Sequence, residues 1–224
     1  MKQTPVHDHV NPDLLRFIPR DLARVVEVGS SSGALARAYK QLNPACHYVG
    51  VEIEPEYAEL SRRFCDEVVV GNIERLDDIE FMGLLPADAF VFGDVLEHLY
   101  DPWALLRRIR RHRAGKPVQV IACIPNAQHW SLQVNLSVGQ FVYQDSGLLD
   151  RTHVRWFTRR TMIDLFTSSG FEVLEGCPRV FDEPDRARFL PHIEAMAQAV
   201  GGDAKQAVED AIPLQYVIRA IARA

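Results

Sequence analysis

The chain has no apolar run near the ~18 residues a membrane helix needs, so no spanning helix is expected. Its start, Met1-Lys2-Gln3-Thr4-Pro5-Val6-His7-Asp8-His9, lacks a hydrophobic stretch behind a basic head, so no secretory signal is expected. Cysteine is scarce: Cys46, Cys65, Cys123 and Cys177 lie 19, 58 and 54 residues apart. That spacing holds no zinc-type or redox pair and argues against a disulfide framework, which points to a reducing, cytoplasmic setting. A basic excess is also missing. The 25 Lys and Arg against 30 Asp and Glu leave a net charge of −5, so nothing draws the whole chain to nucleic acid or anionic membrane. There is no internal repeat and no low-complexity tract.

What is present is an alternation of short β-branched runs and amphipathic stretches. After a loose polar start over 1–11, Pro12–Phe17 reads as a short helix capped by Asn11. Ala23–Val28, His47–Ile53, Glu67–Val70, Ala87–Gly93, Val118–Ile124, Phe171–Leu174 and Gln215–Ile221 read as strands. Helices are expected over Gly33–Leu42, Pro55 to about Phe64, Pro102 to near Arg113 behind Asp101, and from Thr158 to Ser169. The order implies an α/β fold, a doubly wound, mainly parallel seven-stranded sheet in a single domain, 1–224. Two segments break the rhythm. Residues 126–157 form a long excursion after the fifth strand. Residues 183–212 form an insertion, helical at 185–200 and 203–211. Both are expected to build or cover an acceptor pocket.

The first strand delivers Glu27-Val28-Gly29-Ser30-Ser31-Ser32-Gly33 into a helix. Small residues let a ligand approach the backbone, and the helix start offers free N–H groups. Glu52, 19 residues after Gly33, ends the second strand, where a carboxylate can hold a ribose diol.

Together these residues resemble the class I S-adenosylmethionine-dependent methyltransferases over residues 10–181. The loop is similar to the acidic-x-G-x-G-x-G motif, with Glu27 as the acid and Ser31 in place of the middle glycine. The resemblance implies a ribose site at Glu52 and Ile53, an adenine edge at Asn72 and Ile73, and a methionine end at Asp94 and Val95. Asn72 stands where the family usually has Asp. The blocks Asp94–Trp103, Ile124–Trp130 and Leu149–Thr158 extend the likeness; 183–212 has no match. The implied activity is methylation of a hydroxyl on a sugar, nucleotide sugar or other small molecule, with S-adenosylhomocysteine as product.

Such chemistry needs an acceptor held in line with the methyl group and profits from a base. His98, His129 and His153 are the candidate bases, with Tyr143 and Asp150 behind them. Trp130, Trp156 and Phe157 are candidates to line the acceptor pocket, and Arg151, Arg155, Arg159 and Arg160 to meet an anionic group. The arginines from Arg107 to Arg113 close a helix at the far end of the sheet and read as a solvated face. Asp94, Glu97 and His98 at i, i+3 and i+4, with His153, form a mixed oxygen and nitrogen set for a divalent metal if one helical turn follows the fourth strand. That pattern is similar to the Glu-x-x-Glu-His of small-RNA ribose 2′-O-methyltransferases and of ubiquinone-pathway O-methyltransferases. An RNA ribose methyltransferase is therefore one alternative, which the acidic net charge disfavours. A cofactor-binding module without catalysis is another, given Ser31 and Asn72. Calorimetry with cofactor, followed by acceptor turnover, separates them.

Overall fold

The computed structural model describes residues 5–6, 8–113 and 115–223; Met1–Thr4 and His7 of the polar start lie outside the described residues. The strands are β1 (Arg24–Val28), β2 (His47–Glu52), β3 (Glu67–Val70), β4 (Ala89–Gly93), β5 (Val118–Pro125), β6 (Glu172–Arg179) and β7 (Gln215–Ala222). They form one sheet in the order β3-β2-β1-β4-β5-β7-β6, with β7 antiparallel to both neighbours and the others parallel. The helices are α1 (Pro12–Phe17), α2 (Ala34–Leu42), α3 (Pro55–Ser61), α4 (Asp78–Gly83), α5 (Pro102–Arg111), α6 (Trp130–Ser137), α7 (Arg159–Ser168), α8 (Arg186–Ala199) and α9 (Ala204–Ala211). None of them is long and apolar enough to cross a membrane.

Strand alternation divides the core between the sheet's two faces. Val25, Ala89, Val91, Ile121 and Cys123 pack with Leu14, Phe17, Leu35 and Tyr39 of α1 and α2. Val26, Val28, Phe90, Phe92 and Val120 pack with Phe81, Leu105, Ile109, Leu165 and Phe166 of α4, α5 and α7. Both faces are covered, which is why the central strands are apolar throughout. The end turns follow capping chemistry. Asn11 Oδ1 accepts the N–H groups of Asp13 and Leu14 (3.1 Å each), and Thr158 forms a capping box with Thr161.

The structure differs from the sequence expectation at four places. α4 was not expected, although Asp77 and Glu80 form a reciprocal capping box there. α6 rises inside 126–157. β6 runs to Arg179 instead of Leu174, because β7 pairs with it along that length. α3 stops at Ser61.

Buried Glu27 shows how a strand-end acid is tolerated. Tyr48 donates its hydroxyl to Glu27 Oε2 at 3.1 Å. Burial pushes the carboxyl up to about 8; the Tyr48 bond opposes this and the Glu52 charge adds to it. The folded value lies above the unfolded one, so the folded chain holds the extra proton between about pH 4 and pH 8. Stability is therefore fully present below that window and falls as pH rises through it. Glu27→Gln should remove the decline. Denaturant unfolding of the cofactor-free chain should show the variant gaining on the wild type between about pH 5 and pH 8. A difference that stays flat with pH would contradict this.

Candidate active site

The strand order reverses between β1 and β4, and a crevice of about 610 Å³ opens there at the carboxyl ends of the strands. The glycine loop forms its base. Gly29 sits at φ +76° and Gly33 at φ +78°, where a side chain is strained. A Cβ on Gly29 would stand 2.7 Å from Val95 Cγ2, and one on Gly33 3.0 Å from the Ser61 Cα. Ser31, in the place of the middle glycine, still takes a positive φ of 46°. The loop shape thus survives that substitution.

Glu52 is buried at the tip of β2 and bonded to the loop. Its Oε2 accepts the Ser31 N–H (2.8 Å) and its Oε1 the Glu54 N–H (3.0 Å). Each oxygen can accept a further hydrogen bond, and Glu52 lines the crevice. Ile53, Asn72 and Ile73 line the same cavity, as do Glu27, Asp94 and Val95. Asn72 Oδ1 accepts the Glu74 N–H (2.9 Å), so its amide NH₂ is the group left for a ligand. Nine of the ten residues expected around the cofactor line this cavity; Gly33, packed against Ser61, does not.

The metal set is corrected by the structure. Only a single 3-10 turn, Leu96–His98, follows β4. Asp94 stands before it at φ +56°, outside the turn, so the helical i, i+3, i+4 face does not extend to it. Asp94 instead accepts a hydrogen bond from the Gln215 side chain, itself bonded to Arg179. Asp94 opens onto the crevice, with Gln215, Arg179 and Cys123 around its carboxyl. Burial pushes its carboxyl up to about 6, partly offset by the Arg179 guanidinium. Gln215 and Arg179 gave no motif signal in the sequence.

Glu97, His98 and His153 do come together, with ligand atoms within 4.8 Å of one another. Glu97 is 1 % exposed, and neither of its carboxylate oxygens has a hydrogen-bond partner. His153 Nε2 lies 3.9 Å from Glu97 Oε1, and the two imidazole centroids are 4.7 Å apart. His98 Nδ1 faces the Thr152 carbonyl (3.2 Å), and His153 Nδ1 the Leu148 carbonyl (3.2 Å). A carbonyl only accepts, so each Nδ1 carries the proton and each Nε2 keeps its lone pair. Asp150 steadies this arrangement: its Oδ1 accepts the Thr152 N–H (2.8 Å) and hydroxyl (2.6 Å). Burial pushes Glu97 well above the carboxylate range, helped by the Asp94 charge. Burial also holds His98 below its ordinary value, and burial with the His98 charge lowers His153 to about 4.

Other expected residues are not brought to this cluster. His129 is fully buried at the start of α6, with Nδ1 on Ser131 Oγ (2.8 Å) and Nε2 on Glu183 (3.2 Å). It does not line the crevice, because α6 turns the chain away immediately after β5. Asn126 emerges at the end of β5 but spends its amide on the Asp210 and Pro213 carbonyls (2.7 and 2.8 Å). Of the excursion, only 146–148 and 150–154 line the crevice. The insertion 183–212 lines none of it: Trp130 stacks on Phe189 and donates to Glu183, which fastens α8 to α6. Phe157 is core, 2 % exposed. Arg159 pairs with Asp210 (2.7 Å). Arg108 binds the Leu76 and Asp77 carbonyls and covers Phe81, so part of the arginine helix is a packing device.

A glycine turn at the reversal of strand order, an acid on the next strand and a 3-2-1-4-5-7-6 sheet with one antiparallel strand define the class I S-adenosylmethionine-dependent methyltransferase fold. The chain belongs to the methyltransferase-domain family, whose model matches residues 7–175. Its structure is similar to that of an S-adenosylmethionine-dependent methyltransferase of Archaeoglobus fulgidus (TM-score 0.62, 19 % identity, covering 93 % of this chain and 91 % of that one). It is also similar to an S-adenosylmethionine-dependent methyltransferase of Thermotoga maritima (0.60, 17 %, 94 % and 86 %). A third likeness is to the magnesium protoporphyrin IX methyltransferase of Synechocystis with bound S-adenosylhomocysteine (0.55, 10 %, 89 % and 74 %). No curated protein matches the chain in sequence.

Proposed function

We propose that the chain methylates a hydroxyl oxygen of a small molecule seated beside Glu97, His98 and His153, and that these three residues hold a divalent cation there. The observation that carries this is Glu97: a buried carboxyl with both oxygens unpartnered, next to two imidazoles whose Nε2 lone pairs are free. Such a group is costly unless it stays protonated or a cation answers it. One carboxylate and two imidazoles suit Mn²⁺, Fe²⁺, Co²⁺ or Zn²⁺, and the carbonyls on each Nδ1 are the orienting partners that ligating histidines use. When bound, the cation acts as a Lewis acid that lowers the pKa of the acceptor hydroxyl.

The crevice residues do the rest. Glu52 holds the ribose hydroxyls of S-adenosylmethionine, Asn72 and Ile73 border the adenine, and the Gly29–Gly33 loop admits the methionine half. Residues 146–154 wall the acceptor side. The acceptor oxygen forms the new O–CH₃ bond as the methyl–sulfur bond breaks. The sulfur keeps the electron pair as a thioether, and the hydroxyl proton leaves to solvent. Holding oxygen, carbon and sulfur in line is the main contribution of such a site.

Transfer of labelled methyl from S-adenosylmethionine to a panel of phenols and glycosides tests this. Activity should fall at least 100-fold in excess chelator and return with Mn²⁺. Full activity in chelator, with no metal in the purified protein, would overturn the cation and leave His153 as a plain base.

A further inference from the structure

We propose that the acceptor is an uncharged hydroxyl compound with a flat apolar body, and that Trp156, Phe141 and Tyr143 are the surface on which that body rests. The proposal rests on the methyl-transfer reading above and narrows its substrate. Rings run in an unbroken chain from the cluster outward. His98 meets His153 at 4.7 Å, His153 meets Trp156 at 5.8 Å, Trp156 meets Phe141 at 5.2 Å, and Phe141 meets Tyr143 at 5.5 Å. All four contacts are edge-on, with interplanar angles from 61° to 86°, so the rings do not cover one another's faces.

The outer rings are open, with Trp156 37 %, Phe141 38 % and Tyr143 55 % exposed. Leu136, Val138 and Val142 on the same segment are more open still. Isolated exposed apolar residues need no explanation, but a group of them beside a reaction site marks recognition. The three rings lie outside the crevice lining, and Trp156 packs against His153 at its edge. The chain between them is tied down: Gln144 donates its N–H to the Leu149 carbonyl (2.8 Å), and Arg151 donates to the Gln144 carbonyl (2.9 Å). That loop gives Ser146, Gly147 and Leu148 to the crevice and begins beside Tyr143.

Charge decides what sits there. From Gln128 to Asp150 the chain has no Lys or Arg, and its acids are Asp145 and Asp150. Arg151 is paired with Asp145 (2.7 Å), and Arg155 donates to the Tyr100 carbonyl (3.0 Å). The diphosphate of a nucleotide sugar, or an anionic lipid surface, would meet only Arg151 and Arg155 on this segment, and would compete there with the bonds they already make. A neutral planar ring system breaks none. It places its plane on Trp156 and Phe141 and its hydroxyl toward His153.

Calorimetry on the full chain, saturated with S-adenosylhomocysteine, tests the seat. Dihydroxynaphthalene should bind about tenfold or more tighter than catechol, which has the same hydroxyls and one ring fewer. A methyl glucoside and a uridine diphosphate sugar should bind more weakly than either. Trp156→Ala and Phe141→Ala should each erase most of the naphthalene advantage while leaving S-adenosylhomocysteine affinity unchanged. Tyr143→Ser, at the most exposed ring, gives a third variant if either of these fails to fold. Equal naphthalene affinity in wild type and variants, or tighter binding of the nucleotide sugar, would overturn the proposal. So would a ring-dependent dimer or vesicle binding that excludes the naphthalene. Ring-dependent naphthalene binding with no methyl transferred would instead defeat the methyl-transfer reading while the seat itself stands.

Discussion

Glu97→Leu is expected to cost the chain its activity and to make it more stable. The side chain is 1 % exposed and its two oxygens have no donor, so in the metal-free protein it is a buried polar group left unpaired. Removing such a group and keeping its volume should raise the unfolding free energy by about 1–3 kcal/mol. The same change deletes the one carboxylate of the triad, so methyl transfer should fall about 100-fold or more. Denaturant unfolding in the presence of chelator measures the first effect, and labelled-methyl transfer the second. Opposite signs are what separate a group kept for chemistry from one kept for packing. A variant that loses stability as well as activity would mean that Glu97 supports the fold.

The second large effect belongs to Glu52. Its carboxylate ties the glycine loop to β2 through the Ser31 and Glu54 N–H groups. In the proposed complex it also accepts two ribose hydroxyls. Each such charge-assisted bond contributes about 1.5–3 kcal/mol. Glu52→Ala should therefore weaken S-adenosylmethionine binding at least about tenfold by calorimetry. Glu52→Gln, which keeps one acceptor oxygen, should lose less. Unchanged affinity in a folded Glu52→Ala chain would move the ribose contact elsewhere, with Glu54 the next position to test.

The cofactor half of the crevice was legible because it is local. A strand, a turn of small residues, a helix start and an acid on the following strand are consecutive features, and each has a sequence signature. The strands themselves were legible as short β-branched runs, since both faces of the sheet are covered. β6 beyond Leu174 was not, because Gly176 and Pro178 carry no strand propensity and the pairing with β7 imposes it. α4 had a readable signal in Asp77 and Glu80. α6 had little, because its apolar residues do not keep to one face.

The acceptor half depends on long-range placement, which spacing does not encode. The sequence grouped His153 with Glu97 and His98 across 55 residues, and the fold brings these three side chains together; His129, offered with His98 and His153 as a candidate base, lies elsewhere. The difference between them is set by α6, which carries His129 into the core beside Glu183. Asp94 was grouped with the candidate metal ligands because a left-handed residue after β4 was not foreseen. Gln215 and the ring chain through Trp156 exist only once the fold brings distant segments together.

Titration of the chelator-treated chain with Co²⁺, followed by visible absorption and calorimetry, puts the Glu97–His98–His153 site to the most direct trial. One equivalent per chain should bind in the wild type, with a spectrum of mixed nitrogen and oxygen ligation. That site should be absent from Glu97→Leu and His153→Ala, and Asp94→Asn should retain it. A wild type that binds no Co²⁺, or variants that bind it unchanged, would contradict the cation site and the hydroxyl activation that depends on it.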